Sequence, residues 1–133
     1  MFLLFTLTSA FVQLKGVSTE GIKWVFSGNM KEINGVWQAD GEGECRYGNG
    51  DQYKGLYSQD LQHGKGVYTY ANGEVYEGEY TRGCKHGRGK YIWPDGDWYN
   101  GEWQDDKING TGTRSTNGVQ KSGKWRDASY LGR

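Results

Sequence analysis

From residue 41 to residue 125 the chain alternates aromatic or glycine positions with polar ones at a period of two, broken at even intervals by glycine turns. That period is the mark of β-strands, since residues two apart point to the same face of a sheet. Tyr53, Gly55 and Tyr57 therefore share one face, with Lys54, Leu56 and Ser58 on the other. In the next strand Gly64, Gly66, Tyr68 and Tyr70 oppose Lys65, Val67 and Thr69. Glycine on an aromatic face is expected where a ring from a neighbouring strand lies over bare backbone.

The strands recur. Gly41, Gly64, Gly87 and Gly110 are 23 residues apart, as are Gly43, Gly66, Gly89 and Gly112. Aromatics keep the register, with Tyr53-x-Gly55-x-Tyr57, Tyr76-x-Gly78-x-Tyr80, Tyr99-x-Gly101-x-Trp103 and a decayed Lys121-x-Gly123-x-Trp125. Each unit closes at Asn49-Gly50, Asn72-Gly73, Asp95-Gly96 or Asn117-Gly118, dipeptides in which both residues tolerate positive φ and which predict hairpin turns. A lone hairpin cannot bury a face, so the units must stack on one another as a solenoid. The expected fold is all-β: an elongated single-layer antiparallel sheet of stacked β-hairpins without substantial helix.

Composition changes this picture only at the core. Leu, Ile, Val and Phe supply 22 of 133 residues, whereas the chain has 10 Tyr, 6 Trp and 23 Gly. Tyr and Trp bury large areas while keeping a polar handle, so the core is expected to be aromatic. Sixteen basic and 16 acidic residues balance to a net charge of zero, which removes the basic signature of a nucleic-acid binder. Cys45 and Cys84 are too few for a disulfide scaffold, and with only His63 and His86 to add they do not make a structural zinc site. About three strand spacings are expected between the two thiols, too far for a disulfide, so both are read as free.

The apolar residues 1–14 (MFLLFTLTSAFVQL) lack the basic n-region of a signal peptide. Phe5-Thr6-Leu7-Thr8 and Phe11-Val12-Gln13-Leu14 are read as short strands, with secretion the minority reading. Residues 1–25 are thus an N-terminal apolar segment of strand or weak signal-peptide character. Residues 26–125 form the repeat domain, with a degenerate first copy and clear copies from about 41, 53, 76 and 99. Residues 126–133 are a C-terminal tail.

The run Tyr76-Glu77-Gly78-Glu79-Tyr80, then Lys85-His86-Gly87-Arg88-Gly89-Lys90-Tyr91 and Pro94-Asp95-Gly96, resembles the MORN (membrane occupation and recognition nexus) repeat. The resemblance covers about Gly41 to Trp125. It implies a twisted antiparallel sheet with a curved groove and a role in scaffolding, cytoskeletal attachment or membrane-proximal recruitment. It implies no enzyme. The scarcity of cysteine favours a reducing compartment such as the cytoplasm.

The residues themselves offer little catalytic chemistry. His63 and His86 occupy one repeat position and are read as structural, since catalysis needs no group copied with the fold. Gly83 to Gly89-Lys90 has one residue too many for a phosphate loop and lies on a hairpin. Asp51, Glu74 and Asp97 each follow a turn glycine and are read as a solvated surface position. Asn109-Gly110-Thr111 is a glycosylation acceptor by pattern, relevant only to a secreted chain. No catalytic, metal or cofactor residue is assigned.

Two binding surfaces are expected. Tyr57, Tyr80 and Trp103, with Tyr70 and Trp93 across the hairpin, form an aromatic stripe suited to a protein partner. Arg82, Lys85, Arg88 and Lys90 form the densest part of a basic edge, with Lys65 and Lys107, facing an acidic edge of Asp51, Glu74, Asp95 and Asp97. That cluster could meet an anionic phospholipid headgroup or an acidic partner. The leading expectation is a noncatalytic scaffold that binds a protein through the aromatic groove. The alternatives are a peripheral phosphoinositide-binding module and a targeting segment related to a phosphatidylinositol phosphate kinase. End strands or groove could also mediate a homodimer.

Overall fold

The structure, a computed structural model, describes residues 9–133. Eleven strands follow one another in chain order: β1 (Ser9–Val17), β2 (Lys23–Ile33), β3 (Val36–Tyr47), β4 (Gln52–Ser58), β5 (Leu61–Thr69), β6 (Val75–Thr81), β7 (Cys84–Ile92), β8 (Trp98–Gln104), β9 (Lys107–Thr116), β10 (Val119–Arg126) and β11 (Ser129–Gly132). Each pairs antiparallel with the next, giving one open sheet in the order β1 to β11. The Phe11-to-Leu14 stretch lies in β1, and Phe5-to-Thr8 falls outside the described residues. β1 and β11 carry the sheet into the segments set apart as N-terminal and tail.

The degenerate first copy is Phe26-x-Gly28-x-Met30. Phe26 pairs with Cys45 and Gly28 with Gly43, as Tyr53 pairs with Tyr68 and Gly55 with Gly66 in the next hairpin. Its register is hidden because the β2–β3 hairpin is four residues longer than its successors, so Phe26 precedes Tyr53 by 27 residues instead of 23.

Turn chemistry differs between the two edges. At Asn49-Gly50, Asn72-Gly73 and Asp95-Gly96 only the glycine has positive φ, with Gly96 at 94°. There Gly50, Gly73 and Gly96 donate their N–H to Tyr47, Tyr70 and Trp93, three residues back. The expected two-residue turn, both φ positive, sits at Asn117-Gly118 and on the opposite edge, at Asn34-Gly35, Gln59-Asp60, Arg82-Gly83, Asp105-Asp106 and Asp127-Ala128. Gln59-Asp60, Asp105-Asp106 and Asp127-Ala128 contain no glycine, so they need bracing from outside the turn. Asp106 shows its source: its carboxylate accepts the Lys85 N–H at 2.8 Å, and its own N–H donates to the Lys85 carbonyl at 2.9 Å. Asp60 does the same with Ala39 two units earlier. Asp106→Ala is therefore expected to cost about 1–2 kcal/mol, because it removes both the brace and a residue tolerant of positive φ. A urea titration checks this, and an unchanged midpoint would show that the brace contributes nothing.

The core is a zigzag of aromatic rings on one face. Tyr53, Tyr76 and Tyr99 are fully buried. Each hydroxyl donates to a carbonyl three residues on, at Leu56, Glu79 and Glu102. Edge-to-face contacts run from Phe26–Tyr57 through Tyr53–Tyr57, Tyr53–Tyr80, Tyr76–Tyr80, Tyr76–Trp103 and Tyr99–Trp103 to Tyr99–Trp125, with ring centroids 5.1–5.9 Å apart. This is the favoured geometry for aromatic quadrupoles. The indoles also reach across strands, Trp103 Nε1 donating to the Gly89 carbonyl and Trp125 Nε1 to that of Gly112, both at 3.0 Å. The β4–β5, β6–β7 and β8–β9 pairs skip register just after the glycine, between Gly55 and Tyr57, Gly78 and Tyr80, and Gly101 and Trp103. Such irregularities bend a sheet.

A candidate partner groove on the aromatic face

Beside the buried zigzag runs a second aromatic row, half-exposed: Tyr47, Tyr68, Tyr70, Tyr91 and Trp93. Neighbouring centroids are 6.2, 4.5, 5.9 and 5.0 Å apart. This row is anchored by the acidic residues after the turn glycines. Tyr68 donates its hydroxyl to Asp51 at 2.8 Å, and Tyr91 donates to Glu74 at 2.6 Å. Asp51 also accepts the Ala71 N–H, and Asp97 accepts that of Asn117, both from the following turn. The solvated-face reading of these carboxylates thus gives way to a structural one: each ties its turn to the next repeat. Burial, reinforced by the bonded carboxylate, pushes the Tyr68 and Tyr91 phenols upward.

The structure separates the five aromatic residues expected to meet a partner. Tyr57, Tyr80 and Trp103 are 9%, 4% and 6% exposed and belong to the core floor. Tyr70 and Trp93 stand in the open wall. Tyr47, Tyr68 and Tyr91, which sequence reasoning left out of the groove, complete that wall. Their signal was present in the 23-residue columns Tyr47–Tyr70–Trp93 and Cys45–Tyr68–Tyr91. Wall and floor border an open groove section of about 660 Å³ that includes Lys85, Tyr91, Trp93, Trp103 and Ile108, with Asp106 and Asp127 at its edge.

The four cations of the expected anion site point in different directions. Arg82 lies in the β6–β7 turn. Lys85 faces the aromatic groove, with Nζ 5.5–5.7 Å from the ring centroids of Tyr70, Tyr76, Tyr91 and Trp103. Arg88 and Lys90 lie on the opposite face, where Arg88 is registered against Glu102 and Lys90 against Glu77. Lys90 also sits over the Trp98 ring at 4.9 Å. Lys65, registered against Glu79, shares that charge-alternating face. The edge read as basic carries Asp60, Asp105, Asp106 and Asp127 in its turns, with Lys107 and Asp127 3.9 Å apart. Sequence proximity within nine residues made one cluster of groups that strand alternation separates.

The remaining candidate chemistry has structural partners. His63 accepts the Arg82 N–H at Nδ1, and His86 accepts that of Asp105, at 3.2 and 3.4 Å. Cys45 and Cys84 are free. They stand on β3 and β7, four strand spacings apart where three were expected, or about 19 Å. Burial raises both thiols, and Asp106 and Asp105 add to the effect at Cys84. Asn109 lies within β9, its side-chain amide donating to Gln104 at 3.2 Å.

No curated protein matches the chain. A family model, the MORN repeat, matches residues 38–52, 53–75, 76–98 and 99–119. Three of the four matched units open on a buried core tyrosine, Tyr53, Tyr76 or Tyr99. The chain belongs to the MORN repeat family.

Proposed function

We propose that this chain is a noncatalytic scaffold that holds a protein partner along its aromatic groove, at the cytoskeleton or a membrane-proximal site. The observation that carries this reading is the half-exposed row of Tyr47, Tyr68, Tyr70, Tyr91 and Trp93, pinned in place by Asp51 and Glu74. Rigid aromatic rings give large contact area at low entropy cost, the composition of interface hot spots. Both histidines are engaged in accepting backbone N–H groups, which supports a structural role over acid–base chemistry. The lipid-binding alternative has weaker support, because Lys85 stands on the aromatic face, Arg82 in a turn, and Arg88 and Lys90 on the other face opposite Glu102 and Glu77.

Site-specific photocrosslinking in cells separates the groove from the rest of the surface. A photoreactive phenylalanine at Trp93 is expected to trap a discrete protein adduct, and the same group at Val67 on the opposite face is expected to trap none. Adducts at Val67 alone, or equal smears from both positions, would overturn the groove reading.

A further inference from the structure

Three cations on the aromatic face, Lys85, Arg114 and Lys121, lack a charge partner among the described residues, and of these only Lys85 and Arg114 are half-buried. Lys85 is half-buried in a ring of four aromatic side chains, and its Nζ makes no hydrogen bond or ion pair. Arg114 lies 4.8 Å over the Trp93 ring, and its Nε is buried without a hydrogen-bond partner. The two sites adjoin, since the Tyr91 and Trp93 centroids are 5.0 Å apart. Stacking on rings compensates part of the lost hydration of a cation but leaves N–H donors unmet, and an incoming carboxylate satisfies both deficits.

Neither charge is demanded by the repeat. The position of Lys85 is Ala39, Gln62 and Ile108 in other units, and that of Arg114 is Cys45, Tyr68 and Tyr91. Asp106 and Asp127 line the same groove section as Lys85, but no carboxylate forms an ion pair with Lys85 or Arg114. Asp106 braces the Lys85 backbone, Asp127 faces Lys107, Asp97 accepts from Asn117, and Glu74 accepts from Tyr91.

We propose that Lys85 and Arg114 form a two-point carboxylate-reading site in the groove, and that its ligand is a protein segment in which acidic residues alternate with apolar or aromatic ones. The proposal rests on the groove reading above and specifies the partner's chemistry. Charge complementarity selects acidic side chains, and the aromatic wall selects apolar neighbours. A bilayer surface suits the site less well, because both cations are recessed among rings instead of standing on an exposed edge.

The probe is a phage-displayed library of random 16-residue peptides panned against the full chain, followed by affinity measurement on the enriched peptides. Enriched peptides are expected to be acidic and apolar. Lys85→Met and Arg114→Leu should each weaken them about tenfold, while the opposite-face control Lys90→Met leaves them unchanged. Replacing the peptide's own Glu by Lys should weaken binding to the unmodified chain by at least as much, a readout independent of whether any variant folds. Peptides that need Trp93, tested as Trp93→Ala, but tolerate Lys85→Met and their own charge reversal would sink the carboxylate site and leave the groove reading standing. If no enriched peptide depends on Trp93, both readings fall. Anionic phosphatidylserine vesicles form a second arm: Lys85-dependent sedimentation with them, without an enriched acidic peptide, would overturn the proposal in favour of a lipid ligand.

Discussion

Gly78→Ala is expected to destabilise the sheet by more than about 3 kcal/mol, at or beyond the top of the usual overpacking range. A β-carbon at Gly78 would lie 2.4 Å from the Gly89 Cα, 2.6 Å from the Arg88 carbonyl oxygen and 2.8 Å from the Tyr76 hydroxyl. The first two atoms are backbone of the paired strand. The third is held by its bond to the Glu79 carbonyl and by full burial. None can swing aside, so β6 and β7 must separate where Gly78 and Gly89 pair. The backbone at Gly78 is otherwise ordinary for a strand, where alanine would normally be favoured by about 0.5–1 kcal/mol, so sterics alone set the sign. Gly96→Ala supplies the contrast. Its φ is +94° and nothing lies within 4 Å of the added carbon, so only torsional strain of about 1 kcal/mol is expected. In urea, Gly78→Ala should shift the midpoint several times further than Gly96→Ala. It should also lower the slope, since a break between β6 and β7 lets the two halves of a one-dimensional array unfold separately. Equal midpoints for Gly78→Ala and the unmodified chain would mean that the glycines are not in close contact.

The 23-residue spacing was enough to read the central hairpins and the face occupied by Tyr53, Tyr76 and Tyr99, because strand alternation is a local property that survives translation into three dimensions. The first copy was obscured for an equally local reason: four extra residues in the β2–β3 hairpin push Phe26 out of register while its pairing to Cys45 is preserved. The candidate site was less legible. Alternation alone places Lys85 with Gly87, Gly89 and Tyr91, and Arg88 with Lys90 on the other side, yet nearness along the chain suggested a single cluster. Opposing charges from other strands were harder to foresee, since Glu77, Glu79 and Glu102 meet Lys90, Lys65 and Arg88 only through the ladder. The bracing roles of Asp51, Glu74 and Asp106 depend on contacts 17 to 21 residues away. A repeated carboxylate looks the same in sequence whether it faces water or the next turn.

The aromatic core also sets an alkaline limit: the chain is expected to unfold cooperatively near pH 11. Burial holds the Tyr53 and Tyr99 phenols up at about 12, against 10.0 for a free phenol. It likewise pushes up Tyr47, Tyr57, Tyr68, Tyr76, Tyr80 and Tyr91. A phenol whose folded pKa exceeds its unfolded value keeps its proton longer when folded. Its contribution is therefore complete below pH 10 and declines as pH rises from there through the folded value. One unit above the unfolded value, each such phenol has withdrawn about 1.4 kcal/mol. The five buried ones, Tyr53, Tyr57, Tyr76, Tyr80 and Tyr99, together withdraw about 7 kcal/mol, the scale of a domain's whole stability, and the half-exposed phenols of the wall add less because water screens them. Tyrosinate absorbance and far-ultraviolet circular dichroism should consequently change together over a narrow pH interval, more steeply than a one-proton titration. Gradual ionisation centred on pH 10 with an intact strand spectrum would mean that water reaches the phenols. In that case the zigzag from Phe26 to Trp125 could not be the core that holds the repeats together.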